Sequence, residues 1–321
     1  MNFQSIKPVE DYKFYLDLAF RRAREKGTKL RSTKLKGGRL EKSNYIEFMK
    51  LQVISDTLAS RMQSIIESFP SLDGLPEFYN ELVRLSMDYG QFKKSLGAVN
   101  WLGQRARNML KIYKSKLDKN KQFERINIIK REYLGRISSM VKQVKSDFVF
   151  LEGARKTMKV FPTIKTSLKT VAIAGFPNTG KTTLLYGLTG SKAEINSYPF
   201  TTKGINVAYI GKGKERIQLL DTPGTLDRFE KMNSIEKVAY LAIKHCANLI
   251  VYVFDLTEEY PLDKQIKLYN RLGKDFGKEI LIYISKSDII DSKEISEFRM
   301  KYKNSIVSAD KLKEGLLKKL E

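Results

Sequence analysis

The chain has almost none of the residues that build covalent or metal-bound scaffolds: of its 321 residues one is cysteine, Cys246, and one is histidine, His245. A single thiol excludes an internal disulfide. No third group is identifiable to orient the adjacent imidazole, so His245 and Cys246 read as packing at a helix end and not as a nucleophilic pair. Long hydrophobic runs are missing too. The longest aliphatic and aromatic run, Leu249–Phe254, is far too short to cross a bilayer and reads as a buried strand. No apolar segment opens the sequence, so neither a secretion signal nor membrane insertion is expected, and the expectation is a cytoplasmic protein. Acidic side chains are scarce, 36 against 59 Lys and Arg, for a formal net charge of +23.

That charge is uneven. Residues 1–165 hold 34 basic and 17 acidic side chains, an excess of 17, which leaves 25 and 19 and an excess of 6 for residues 166–321. Within Arg21–Lys42 ten bases face two acids, and they include Arg21, Arg22, Arg24, Lys29, Arg31, Lys34, Lys36 and Arg39. A second cluster contains Arg105, Arg107, Lys111 and Lys114. One basic run is ordinarily a solvated face, but two clusters on an already basic half favour a polyanion, most economically RNA.

Apolar residues in the basic half recur every three or four positions, the period of amphipathic helices. The spacing predicts helices over Val9–Lys26, over Glu41–Ser68 to Pro70, and from Pro76 through Phe78, Leu82, Leu85 and Tyr89 to Gly90. It predicts two more over Leu96–Leu117 and, as one long spine, Phe123 to about Met158. The expectation is an all-α antiparallel bundle whose stripes are core. Trp101 is read with them, as packing and not as a base-stacking platform. The helical pattern stops near Val160-Phe161-Pro162-Thr163, so the bundle is bounded at residue 165.

From residue 166 onward strands alternate with helices. Strands are expected at 169–174, 205–210, 215–220, 248–254, 280–284 and 304–307, and helices at 181–189, 234–246, 262–273 and 311–319, with a hairpin turn at Gly211-Lys212-Gly213-Lys214. This is the pattern of a doubly wound α/β domain, mostly parallel, with ligand loops at the carboxyl ends of its strands.

Three motifs sit at those strand ends. Gly175-Phe176-Pro177-Asn178-Thr179-Gly180-Lys181-Thr182, followed by Thr183, joins a strand to a helix. Its glycines let backbone N–H groups close on phosphates, Lys181 supplies a point charge, and the Thr182 hydroxyl is placed for Mg²⁺. Asp221-Thr222-Pro223-Gly224 matches a Mg²⁺-side aspartate followed by a glycine that senses the γ-phosphate. Ser285-Lys286-Ser287-Asp288 offers a carboxylate to the two donors on guanine N1 and N2, a pair that adenine lacks. Each alone is an ordinary turn sequence; in this order they point to GTP and GDP. The chain therefore reads as a P-loop GTPase domain behind a basic helical bundle.

With Tyr198-Pro199-Phe200-Thr201-Thr202-Lys203 and Asp221-Thr222-Pro223-Gly224-Thr225-Leu226-Asp227, the phosphate loop resembles the Obg/HflX group of GTPases. The basic helical half in front narrows the resemblance to the nucleolar GTP-binding protein family, in a short form without a long C-terminal extension. That resemblance implies work in large ribosomal subunit assembly. Its partners would be rRNA, the large-subunit precursor, and ribosomal proteins or assembly factors, with a monomer off the ribosome. It implies that Thr202, rather than Thr201, ligates Mg²⁺ when the γ-phosphate is present, that Gly224 donates to that phosphate, and that Asp221 holds Mg²⁺ through water. Ser308 and Ala309 resemble the loop that backs the base, and Asn178 resembles a residue that binds K⁺ beside the phosphates, so K⁺-stimulated turnover is implied.

Two departures matter. Ser285 stands where the group has asparagine, and a lost hydrogen bond there costs about 0.5–1.5 kcal/mol. Thr225 stands where Ras-like enzymes carry a water-orienting glutamine, so slow intrinsic hydrolysis is expected, near or below ~10⁻⁴ s⁻¹. The reading is a slowly hydrolysing switch; the alternatives are a nucleotide-bound structural placeholder on RNA and a GTPase docking on anionic membrane surfaces.

Overall fold

A computed structural model of the chain describes residues 3–190, 205–211, 213, 216–223, 232–257 and 261–320. The chain divides into two compact units. One comprises residues 2–74 and 83–161; the other comprises 75–82 and 162–321.

The first unit is helical. Helix α1 (Tyr12–Arg31) starts where Asp11 accepts the Lys13 N–H, and α2 (Arg39–Ser68) starts where the Glu41 carboxylate accepts the Gly38 N–H. The short helix α3 (Glu77–Ser86) is shared, with only its last turn in this unit. Asp88 caps α4 (Tyr89–Asp118) by accepting the Gln91 N–H at 2.9 Å. The expectation that Tyr89 and Gly90 close the third helix is thereby corrected: both lie in the first turn of the fourth, because the capping carboxylate precedes them. Gly103 lets α4 approach α2 closely, since a Cβ there would lie 3.3 Å from the Met62 Cβ.

The predicted spine is two helices, α5 (Phe123–Gln143) and α6 (Lys145–Lys159), separated at Val144 with φ −96° and ψ 17°. The three-and-four spacing of Tyr133, Ile137, Val141, Val144, Phe148 and Leu151 runs through the break, and all six are buried, so apolar period carries no sign of it.

In the second unit the first half of α3 buries Phe78, Tyr79 and Leu82. The Tyr79 hydroxyl lies 2.9 Å from the carbonyls of Pro162 and Ile164 and accepts the Ile164 N–H. Strands β1 (Thr170–Ala174), β2 (Asn206–Ile210), β3 (Ile217–Asp221), β4 (Leu249–Phe254) and β5 (Ile280–Ile284) form one sheet in the order β2-β3-β1-β4-β5. Only the β2–β3 pair is antiparallel, joined across Gly211 and Gly213, both at positive φ; Lys212 and Lys214 of the expected turn lie outside the described residues. Strands β1, β3 and β4 are buried throughout, as strands covered on both faces are, with the polar Thr170, Gln218 and Asp221 buried among their apolar residues. The expected strand at 304–307 is a single bridge, Ile306 to Tyr283.

Helices α7 (Lys181–Thr189), α8 (Ser234–His245), α9 (Leu262–Phe276), α10 (Ser292–Lys301) and α11 (Ala309–Leu320) complete the unit. Leu185 and Leu188 of α7 and Leu312 and Leu316 of α11 pack on Val171, Ile173, Leu219 and Val251. On the alternate side of β4, the Tyr252 hydroxyl donates to the Gln265 carbonyl of α9. The parallel register pairs Ile173 with Asp221 and Ala174 with Tyr252, so the loops after β1, β3, β4 and β5 emerge along one edge.

Candidate nucleotide-binding site

The loop between β1 and α7 has a backbone that side chains resist. Gly175 (φ +151°) lies against β4, where a Cβ would come within 2.7 Å of the Val253 carbonyl, and Gly180 adopts φ +82°. Asn178 holds φ +59°, a left-handed position that asparagine tolerates better than most residues, and its side chain is exposed. Thr179, fully buried, ties the loop by donating to the Phe176 carbonyl at 2.9 Å. The Lys181 ammonium donates to that same carbonyl. Burial lowers the pKa of this amine to about 8, against the opposing attraction of Asp221. Thr183 follows on the exposed side of the α7 N-terminus.

The end of β3 comes to the same place. The Thr182 hydroxyl donates to Asp221 Oδ2 at 2.7 Å, and the Asn206 amide donates to that oxygen at 3.1 Å. Two hard oxygen donors beside a helix N-terminus are the donor chemistry that Mg²⁺ takes, so these residues fit that ion. Thr201, Thr202, Gly224 and Thr225 lie outside the described residues.

After β5, the Ser285 N–H and hydroxyl both donate to the Phe254 carbonyl, at 2.9 and 3.1 Å. Its Cβ lies 3.4 Å from where a Cβ on Gly180 would stand, so Ser285 backs the phosphate loop while its hydroxyl bonds β4. Lys286 (φ +51°) reaches Asp255 Oδ2 at 2.7 Å. Asp255 is 1% exposed. Burial alone would raise its pKa, but the Lys286 ammonium and the Thr257 hydroxyl and N–H hold it below the usual carboxylate value. Asp288 is exposed. Ser308 accepts the Lys311 N–H weakly, at 3.4 Å, and Ala309 lies next to Gly187 of α7.

Asn206 and Asp255 were not expected in the site. Asp255 directly follows the apolar run of β4, a position where an acid could have been noticed. Asn206 meets Asp221 only through the antiparallel β2–β3 register, which no local pattern announces.

The His245 imidazole is largely buried between carboxylates, Nε2 at 3.1 Å from Glu81 and Nδ1 at 3.5 Å from Glu77, and burial pushes the Cys246 thiol up to about 11. A thiol so rarely ionised is a poor nucleophile. All twelve basic residues expected at the RNA surface, from Arg21, Arg22, Arg24, Lys29, Arg31, Lys34, Lys36 and Arg39 to Arg105, Arg107, Lys111 and Lys114, are exposed. Among the described residues no helix is long and apolar enough to cross a membrane.

The family described as NOG1 N-terminal helical domain matches residues 3–165, and the family described as 50S ribosome-binding GTPase matches residues 170–286. An uncharacterized protein of Methanocaldococcus jannaschii is 38% identical over 280 residues, 86% of this chain and 78% of that protein. Nucleolar GTP-binding protein 1 of Drosophila melanogaster is 29% identical over 302 residues, 93% of this chain but 46% of its own length, so the chain spans about half of that relative. Among solved structures, Aquifex aeolicus Era is 28% identical, covering 48% of this chain and 57% of that one, with a TM-score of 0.39.

Proposed function

Since this chain belongs to the NOG1 family, we propose that it is a GTP-hydrolysing switch in assembly of the large ribosomal subunit, with residues 1–165 docking on rRNA and residues 166–321 binding GTP. The observation that carries the nucleotide half is the 2.7 Å Thr182–Asp221 contact beside the Lys181 amine, at the N-terminus of α7. The backbone N–H groups of Gly175–Thr182 and the Lys181 ammonium hold the phosphates. Bound Mg²⁺, held by Thr182, by Thr202 in the GTP state and by Asp221 through water, would neutralise charge on the β- and γ-phosphates. Asn178 offers its carboxamide oxygen to K⁺ beside them. Asp288 accepts from guanine N1 and N2, Lys286 and Ser285 hold the loop that carries it, and Ser308 and Ala309 back the base.

Gly224 donates to the γ-phosphate and Thr202 senses it, so hydrolysis releases both segments. Thr225 brings no carboxamide to orient the attacking water, and the intrinsic rate is slow for that reason. The excess of basic over acidic side chains in residues 1–165, with twelve exposed cations in two clusters, supports the rRNA reading. Two measurements test it: sedimentation with ribosomal particles in GDP and non-hydrolysable GTP states, and single-turnover hydrolysis in K⁺ or Na⁺ with and without large-subunit precursors. Nucleotide-dependent co-migration and stimulated turnover are expected. Co-migration without hydrolysis would leave a structural placeholder; binding to anionic liposomes in preference to RNA would sink the assembly role.

A further inference from the structure

The sole tryptophan of the chain sits on the surface of the bundle. Trp101 is 43% exposed, which corrects its reading as a packing residue: the α4 stripe that enters the core runs through Val99, Leu102 and Ala106, one position aside. It borders a groove of about 360 Å³ between α4 and α5. Trp101, Arg105 and Ile112 line the α4 side, at helical spacing along one stripe; Arg136, Ser139 and Gln143 line the other. Met109 and Met140 add soft apolar surface. Ile112 is 56% exposed, so the groove leaves apolar area open to water.

Its charge is one-sided. Lys116 and Arg136 share a single acid, Glu132, at 2.8 and 3.0 Å, and Arg105 has no ion-pair partner among the described residues. Three cations against one carboxylate leave the groove with two excess positive charges, and Arg105, one helical turn from Trp101, is the cation nearest to it along α4. The side-chain polar groups of Ser139 and Gln143 have no hydrogen-bond partner among the described residues.

We propose that this groove is a binding site for an unpaired nucleotide of single-stranded RNA, whose base stacks on Trp101. An unstacked base presents an apolar face, a hydrogen-bonding edge and flanking phosphates, and the groove offers an indole with methionines, a hydroxyl and a carboxamide, and cations in that order. A duplex presents no free base face. The site refines the RNA docking of the previous subsection and rests on it; it makes that docking selective for a looped or bulged strand.

Because Trp101 is the only tryptophan, its emission reports on this groove alone. The full chain is titrated with a mixed-sequence single-stranded 12-mer RNA, a duplex of the same sequence, and heparin, a polyanion without bases. Filter binding of Trp101→Ala and Trp101→Phe runs alongside, with circular dichroism to confirm folding. The expected result is quenching by the single strand and not by heparin, weaker quenching by the duplex, an affinity loss of about tenfold or more in Trp101→Ala, and substantial recovery in Trp101→Phe. Single-strand binding that leaves the emission unchanged, with equal affinity in Trp101→Ala, overturns the groove assignment and leaves RNA docking standing. Quenching by heparin equal to that by RNA overturns it too. Failure to bind any of the nucleic acids sinks both readings.

Discussion

The Thr182 hydroxyl donates to Asp221 Oδ2 across 2.7 Å, joining the start of α7 to the end of β3 although 39 positions separate the two residues. A side-chain oxygen pair in this position is poised to be separated by a cation. Asp221→Asn is expected to lower GTP affinity in Mg²⁺ by about tenfold or more, equivalent to about 1.4 kcal/mol, while barely changing affinity in EDTA. Titration of a fluorescent GTP analogue under both conditions checks this; an equal loss in EDTA would place Asp221 in phosphate or loop support instead.

Lys181 carries a second prediction. Its pKa in the nucleotide-free protein is lowered to about 8 by burial, and phosphates beside it must raise it. Above pH 8 the free protein therefore takes up a proton as nucleotide binds, and affinity falls as pH rises until the bound-state pKa is passed. Calorimetry near pH ~9 in two buffers of different ionisation enthalpy measures the uptake. Lys181→Met is expected to abolish it, and a wild-type protein with no uptake would show the amine to be fully charged before binding.

The Asp255–Lys286 pair gives a stability prediction. Lys286→Met leaves a carboxylate buried without its cation and is expected to cost about 1–3 kcal/mol, less than the ~3–5 kcal/mol of a fully buried pair because Lys286 keeps some contact with water. The Asp255 pKa is lowered on folding, so its contribution is complete above the unfolded carboxylate value near ~3.9 and disappears as pH falls through the folded value. Asp255→Asn should therefore flatten the acid limb of the stability curve below about pH 4. Urea unfolding across pH measures both variants, and an unchanged acid limb in Asp255→Asn would count against the pair.

Tyr79→Phe removes one oxygen from the second unit and strands the Ile164 N–H that it accepts. The expected loss is about 1–3 kcal/mol, the cost of an unsatisfied buried donor. Denaturation monitored by circular dichroism tests it; a change under about 0.5 kcal/mol would mean that water replaces the phenol.

Much of the architecture was legible because its signals are local. Five strands and four helices of the second unit lie within a few residues of their expected bounds, since each is a short apolar run or an amphipathic stretch closed by Gly, Pro or a capping residue. The errors have separate causes. Val144 breaks a spine whose apolar period continues unaltered, and the segment 304–307 pairs at Ile306 alone because Tyr283 is its partner on a distant strand. Asp88 could have been read as a cap, and with it the true start of α4.

Chemistry, order and charge were determined by the sequence alone: a phosphate loop, an aspartate after a strand and a Ser-Lys-Ser-Asp loop in sequence, behind a strongly basic half. Residue type and spacing suffice where backbone geometry demands glycine, or where a ligand demands a particular donor. The tertiary structure decided which side chains meet and which face water. Asn206 joins Asp221 by strand register, Asp255 captures Lys286 by the alignment of β4 with β5, and Trp101 leaves the core by one helical position. Those outcomes depend on contacts between segments far apart in the chain, and a turn of about 100° per residue turns a single position into the difference between core and groove.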